Sequence, residues 1–498
     1  MCLFFYKKNL KKIKIYSNTV NSFVVKLLIK FIGAIYFMSY ILKINSFLNS
    51  IVWGYPSQIL LLGTGIFLMF SSHFIVFRKF PFILKNTFGK IFEKVDKKEG
   101  YMTPFQAVST ALAATVGTGN IAGVTLAITT GGPGAIFWMW IAALVGMTTK
   151  MAEVSLALAS STRNSKNEKV GGPMYYIERG LGNKFLAKIF AFFGMTACFG
   201  IGCMTQSNSI AYNINSYLKI NKNIIGIVIC ILLGLVLIGG VKRIGEITEK
   251  IVPLMAFIYI LGGLVALFFL RDNILNSFKL IFSSAFTPQA ASGGFLGSNL
   301  KIAMKSGIAR GVFTNEAGLG SAPIAHATSS ADHPIKQGMW AVFEVFMDTI
   351  VVCTITGLVV ISSGLWKTGQ YEGAVLTAQA FNLGFRGGHY IVSLGLILFA
   401  FTTIIGWSYY GEKCSEYLFN KDIAVPFRII YILAAFIGAV GGLKEIWTLT
   451  DTLNGMMAIP NLLGLILLRR PFEKLVKDFF DNPNTKEKEN FDYMKFFK

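Results

Sequence analysis

The chain has 498 residues, of which 53% are hydrophobic and only 14% charged, and its formal net charge is +22. Soluble globular proteins carry about 25% Asp, Glu, Lys and Arg, so this composition excludes an ordinary globular enzyme, a DNA-binding protein and a disordered scaffold. It implies a polytopic, all-α membrane protein.

The first 45 residues are atypical. Lys7, Lys8, Lys11, Lys12 and Lys14 precede an apolar stretch from Phe23 to Leu42 that Lys26 and Lys30 interrupt. The segment reads as a weak extra span, as a signal-like segment or, preferred, as an over-extended start with Met38 as the natural beginning. Beyond it, about 20 mainly apolar residues make a spanning helix. Eleven segments qualify, near 53–77, 104–128, 134–160, 187–213, 223–240, 247–270, 303–328, 337–362, 389–413, 424–441 and 446–469. Lys and Arg in the connections and the C-terminal tail orient them: 28 fall on one side against nine on the other. The richer side, which holds the loop after the first span and the C-terminus, is expected in the cytoplasm. These cations face a lipid bilayer, and no nucleic-acid partner is implied. Six cysteines (Cys2, Cys198, Cys203, Cys230, Cys353, Cys414) lie mostly within apolar runs with no CxxC, so neither a disulfide nor a zinc framework is indicated.

Two spans do not read as plain apolar helix. The span at 104–128 contains Gly117-Thr118-Gly119-Asn120, and the span at 303–328 contains Asn315-Glu316-Ala317-Gly318-Leu319-Gly320. Glycine costs about 1 kcal/mol relative to alanine inside a helix, and hydrocarbon penalises any unpaired backbone group by several kcal/mol more. Close helix packing would explain a single Gly-x-Gly step. Two such steps, each beside Asn or Glu and about 200 residues apart, instead point to a secondary transporter with repeated halves. The expected organisation is an extension at 1–45, an extra helix and cytoplasmic linker at 46–100, five-helix repeats at 101–272 and 273–470, and a cytoplasmic tail at 471–498. Five is odd, so the second repeat inserts upside down.

Broken helix ends carry the chemistry. A half-helix N-terminus offers free N–H groups and a positive dipole end to a carboxylate, while a half-helix C-terminus offers carbonyls to Na⁺ or an ammonium group. Gly117, Thr118, Gly119 and Asn120 in the first break, with Asn315, Glu316, Gly318 and Gly320 in the second, are candidate substrate-binding residues. Small side chains there predict a small pocket for a zwitterion beside a cation. Glu316 at membrane depth either holds the substrate amine or a cation, or pairs with Arg310 or caps the broken helix.

The runs Gly117–Gly123, Gly131–Trp140, Gly171–Tyr176, Arg310–Ser321 and Phe401–Glu412 resemble the alanine or glycine:cation symporter (sodium:alanine symporter) family, within the leucine-transporter-like amino acid/polyamine/organocation superfamily. The similarity covers about residues 50 to 470. It implies a leucine-transporter-like 5+5 inverted repeat with one preceding helix, and Na⁺-coupled uptake of alanine or glycine across a bacterial inner membrane. Proton coupling, or selection of another small amino acid, is the alternative. Carried over by position, Thr115, Asn120 and Thr314 lie near one Na⁺. The Ala113 and Val116 carbonyls with the Thr402 and Thr403 hydroxyls make a second Na⁺ site, and Phe313 and Trp407 wall the pocket. Sodium is a coupling ion here and no enzymatic cofactor is implied.

The remaining polar residues within or beside spans carry blander expectations. Glu344 and Asp348 share one helix face and line a cation path or meet solvent near a vestibule. Lys150 and Glu153 are expected to form an internal salt bridge, Asp451 to lie near a helix end, and His326 and His333 to be solvated beside a cytoplasmic loop. No HExxH motif, clustered histidine pair or Walker sequence appears, so metal catalysis and ATP-driven pumping lack support. A channel or a membrane enzyme would need a continuous polar pore or a catalytic cluster, and neither is legible.

Overall fold

A computed structural model describes residues 40, 42–91, 101–165, 167–286, 300–441, 444–481 and 492–498. The alternatives for the N-terminal extension therefore fall almost wholly outside the described residues. The described residues are helical almost throughout, with one two-stranded hairpin among them, β1 (Thr162–Arg163) against β2 (Lys169–Val170).

Among the described residues, six helices are long and apolar enough to cross a membrane: α1 (Leu42–Ser71), α4 (Gly134–Ala159), α6 (Lys184–Leu218), α8 (Gly240–Phe269), α12 (Pro334–Ser363) and α14 (Gly388–Phe419). Two bent pairs raise the number to eight if each is one span. They are α2 (Pro104–Thr115) with α3 (Gly119–Gly131), bent by 52°, and α16 (Thr448–Leu467) with α17 (Arg469–Asp481), bent by 62°. Shorter apolar helices are α7 (Lys222–Leu237) and α15 (Ala424–Val440). Between the spans lie α5 (Pro173–Leu181), α9 (Ile274–Phe286), α10 (Leu300–Asn315), α11 (Pro323–His326) and α13 (Gly373–Gly384).

Helices thus lie over each of the eleven apolar segments, although the seventh is not one continuous span. The segment at 303–328 comes as α10, an irregular stretch and the one-turn α11. Lys301, Lys305 and Arg310 keep α10 polar. α4 is the most deeply enclosed, with 89% of its apolar window buried inside the protein, and it packs against both α10 and α12. Gly307 and Gly311 allow this approach: a Cβ at Gly307 would lie 2.2 Å from the Ala135 carbonyl oxygen.

α2 starts on a reciprocal cap, in which the Thr103 side chain accepts from Gln106 N and the Gln106 side chain accepts from Thr103 N. Thr110 on α2 bonds Thr248 on α8 at 3.0 Å. These contacts fix the entry of the first broken helix on one side, and α14 covers it on the other.

Candidate functional site

α2 ends where Val116 turns to an extended conformation (ψ 90°), and the coil resumes at Gly119. The Gly117 N–H donates to Asn120 Oδ1 at 2.9 Å, so the donor that an unbroken helix would give the Ala113 carbonyl is diverted. Asn120 in turn donates from Nδ2 to Asp348 Oδ1 at 2.6 Å, and Thr349 Oγ1 donates to Asp348 Oδ2 at 2.7 Å. Asn120, Asp348 and Thr349 are wholly buried.

α10 ends at Asn315, and the chain then takes left-handed conformations at Glu316 (φ +55°), Gly318 (φ +91°) and Gly320 (φ +83°). The two glycines supply positive φ without a steric cost. Glu316, which has a Cβ, is held there by its neighbours: Trp407 Nε1 donates to Oε1 at 3.1 Å and Ser321 Oγ donates to Oε2. Asn315 is fixed by three contacts. Its Nδ2 donates to Thr349 Oγ1 (3.1 Å), its Oδ1 accepts from Ala317 N (3.0 Å) and its carbonyl accepts from Lys150 Nζ (2.6 Å).

The two breaks face each other. A Cβ at Gly119 would lie 2.9 Å from Thr314 Cγ2, and one at Gly117 would lie 2.7 Å from Thr403 Oγ1. Between them is a cavity of about 20 Å³, room for about one water. Of the candidate substrate residues, Gly117, Thr118, Gly119, Phe313, Glu316 and Trp407 line it. Asn120, Asn315, Gly318 and Gly320 stand behind it, with Gly318 packed on Leu61 and Gly320 on Phe190 and Pro173. Of the candidate cation residues, Thr115, Thr314 and Thr403 line the cavity, whereas Ala113, Val116 and Thr402 lie outside its lining. The Thr402 hydroxyl bonds the Leu398 and Phe399 carbonyls at 3.0 Å each and faces Met255 Sδ at 3.4 Å. A larger cavity of about 600 Å³, lined by Tyr212, Tyr217, Tyr371 and Glu372 among others, also reaches Thr118.

Gln206 and Asn454 line the small cavity without having been singled out in the sequence. Together with Thr403 they place three buried oxygens there (Gln206 Oε1, Asn454 Oδ1 and Thr403 Oγ1) that have no partner among the described residues. A signal for Gln206 existed in Gly200-Ile201-Gly202, inside a widened π-type turn at Cys198–Met204. A Cβ at Gly202 would lie 2.3 Å from Trp407 Cβ, so this glycine seats the tryptophan. Asn454 carried no such signal.

Several expectations for individual residues are corrected. Arg310 does not pair with Glu316; its guanidinium stacks on Phe313 at 5.4 Å. Lys150 pairs with Glu344 (3.3 Å), and Glu153 accepts from Asn461 Nδ2 instead, because α12 and α16 bring nearer partners than the next helical turn does. Glu344 and Asp348 meet no solvent. His326 and His333 are wholly buried, the first on Glu344 (2.9 Å) and the second on Asp478 (3.4 Å), because α11, which carries His326, packs against α2 and α4 and α17 brings Asp478 to the start of α12. Asp451, near the start of α16, accepts from Asn49 Nδ2 at 3.1 Å.

Two opposed helix breaks closing on a buried polar cavity, within a multi-pass helical membrane protein, define a secondary transporter rather than an enzyme. The solved structure of MhsT in complex with L-phenylalanine has the same fold, with a TM-score of 0.54 at 14% identity over 80% of this chain and 96% of that one. The sodium:alanine symporter family model matches residues 38–493. The sodium/alanine symporter AgcS of Methanococcus maripaludis is 48% identical over 438 residues, covering 86% of this chain and 95% of that protein. A putative sodium/proton-dependent alanine carrier protein of Bacillus subtilis, YrbD, is 34% identical over 87% of this chain and 91% of its own length. The chain belongs to the sodium:alanine symporter family and is a cation-coupled amino acid transporter.

Proposed function

We propose that the protein carries alanine, glycine or a closely similar small neutral amino acid inward together with Na⁺, by alternating access. The observation that carries this reading is the convergence of unsatisfied acceptors on one small cavity between the breaks. Gln206 Oε1, Asn454 Oδ1 and Thr403 Oγ1 lack donors among the described residues, and the Glu316 carboxylate lies beside them. A buried unpartnered acceptor costs about 1–3 kcal/mol, which a substrate ammonium or a cation recovers on binding. The substrate carboxylate takes the start of α3, where Thr118 and Gly119 bring main-chain N–H groups and the positive helix end, beside Gly117, whose own N–H is held by Asn120 Oδ1. Phe313 and Trp407 wall the side-chain position. A cavity of about 20 Å³ expands to accept even the smallest amino acid, so each added methylene of substrate works against the packing around it.

For sodium, the Ala113 carbonyl, deprived of its helical donor, and Thr403 Oγ1 form one hard-oxygen set with the Val116 carbonyl and Thr402. Thr115, Thr314 and Asn120 form the other. Asn315, Gly318 and Gly320 shape the second break. In this reading the chain crosses the plasma membrane eleven times, with α2–α8 and α10–α16 as inverted five-span repeats, and the C-terminus in the cytoplasm. The large cavity at Thr118 is the outward vestibule.

The test is uptake of labelled alanine, glycine and larger amino acids into proteoliposomes, with and without an inward Na⁺ gradient. Concentrative uptake of the small amino acids that requires Na⁺ supports the proposal. Uptake indifferent to Na⁺ and driven by a pH step replaces sodium with the proton.

A further inference from the structure

Behind the second break lies a set of buried ionisable groups of which only Glu316 reaches the cavity. Lys150 and Glu153 come from α4, Glu344 from α12, His326 from α11, Tyr176 from α5 and Glu316 from the break itself, all at most 4% exposed. Asn461 on α16 joins them.

Lys150 holds Glu344 at 3.3 Å and the Asn315 carbonyl at 2.6 Å. His326 adds no charge to balance the carboxyls. Ser329 Oγ donates to Gln337 Oε1 (2.7 Å), which turns Gln337 Nε2 toward His326 Nδ1 (2.7 Å). Nδ1 is then the acceptor, so His326 is neutral and donates from Nε2 to Glu344 Oε2 at 2.9 Å. Three carboxyl groups therefore share one ammonium.

Their support is unequal. Glu344 has Lys150 and His326. Glu316 has the Trp407 and Ser321 donors. Glu153 has the Asn461 Nδ2 donor on Oε1 and the Gly318 main chain beside it, and Oε2 has no hydrogen-bond partner among the described residues. An ionised carboxylate so placed costs several kcal/mol, and a buried group escapes that cost by taking a proton.

We propose that Glu153 is a proton-binding site: it carries a proton in this conformation and gives it up when the break in α10 rearranges. Asn461 is the link. Its Nδ2 donates both to Glu153 and to the Gly318 carbonyl (2.9 Å), and its Oδ1 accepts from Tyr176. With the proton on, the carboxyl is neutral beside Glu344 and Glu316 and the compact arrangement around Gly318 holds. With the proton released to entering water, the carboxylate draws that water into the cluster and loosens Asn461 from the break. The proposal rests on the reading that the α10 break moves during transport, but it holds whichever cation drives the cycle.

The test joins a spectroscopic and a transport readout on the full-length protein. Infrared spectra of the purified protein in lipid at neutral pH are expected to show a protonated-carboxyl C=O band that disappears in Glu153→Gln. Alanine exchange in proteoliposomes is expected to lose its pH dependence in the same variant, because Gln imitates the protonated side chain at every pH. Should Glu153→Gln not fold, Glu153→Leu serves for the band. A band that survives both substitutions overturns the proposal, as does an exchange profile in Glu153→Gln that still follows the wild type. The infrared result needs no transport, so it separates failure of the proton site from failure of the moving-break reading.

Discussion

Replacing Gly117 with alanine probes the contact on which the first break depends. The glycine has no unusual φ, so the effect is steric. The new Cβ lies 2.7 Å from Thr403 Oγ1, with Thr403 Cβ at 3.7 Å and Cγ2 at 3.8 Å. Ordinary contact begins near 3.4 Å, so one of the two elements moves by about 0.7 Å to relieve the hydroxyl alone. Over-packing of this kind costs about 1–3 kcal/mol, which corresponds to roughly a 5- to 150-fold change in an equilibrium. Thr403→Ala removes the clashing atom, so the pair forms a double-mutant cycle. In a Na⁺ titration of alanine uptake, Gly117→Ala alone is expected to raise the half-saturating concentrations of alanine and Na⁺. The double variant is expected to regain part of the alanine affinity while retaining the Na⁺ defect of Thr403→Ala. Strictly additive effects on alanine affinity would refute the proposed packing of α14 on the break.

Three further outcomes follow from the same geometry. Asn120→Ala leaves the Gly117 N–H and Asp348 each short of a partner; at about 1–3 kcal/mol per group, the purified protein is expected to melt at a clearly lower temperature than wild type. Trp407→Ala removes a pocket wall and the donor to Glu316, so competition assays are expected to show larger neutral amino acids gaining on alanine. The third concerns His333, which precedes α12 and whose imidazole is lowered from its ordinary 6.5 to about 4, chiefly by burial, against the opposing pull of Asp478. The unfolded chain then binds the extra proton first, so this group's contribution to stability is complete above about 6.5 and is lost as pH falls towards about 4. His333→Asn is expected to flatten that part of the melting-temperature profile.

The two breaks were legible because their signals are local. Gly117, Gly119, Gly318 and Gly320 are expensive in a membrane helix unless the helix stops, and a residue's backbone preference can be read without knowing its neighbours. The polar partnerships were not legible, for the opposite reason. Lys150 lies one turn from Glu153 in sequence, yet it bonds Glu344 on α12, nearly 200 residues away. His326 and His333 looked solvated because His326 sits on a one-turn helix, α11, whose packing on α2 and α4 has no local signal, and His333 is covered by α17, a charged amphipathic tail not recognisable as a cover. Gln206 and Asn454 reach the cavity only through the packing of α16 on α6 and of α6 on α14.

The most direct test of the central claim is an experimental structure of the protein in lipid with alanine and Na⁺. The account predicts amino acid density between Gly117–Gly119 and Phe313–Glu316, with the carboxylate at the start of α3 and a cation beside Thr403 or Thr314. Alanine seated elsewhere, with α2 and α3 joined in one continuous coil across Gly117–Asn120, would contradict it.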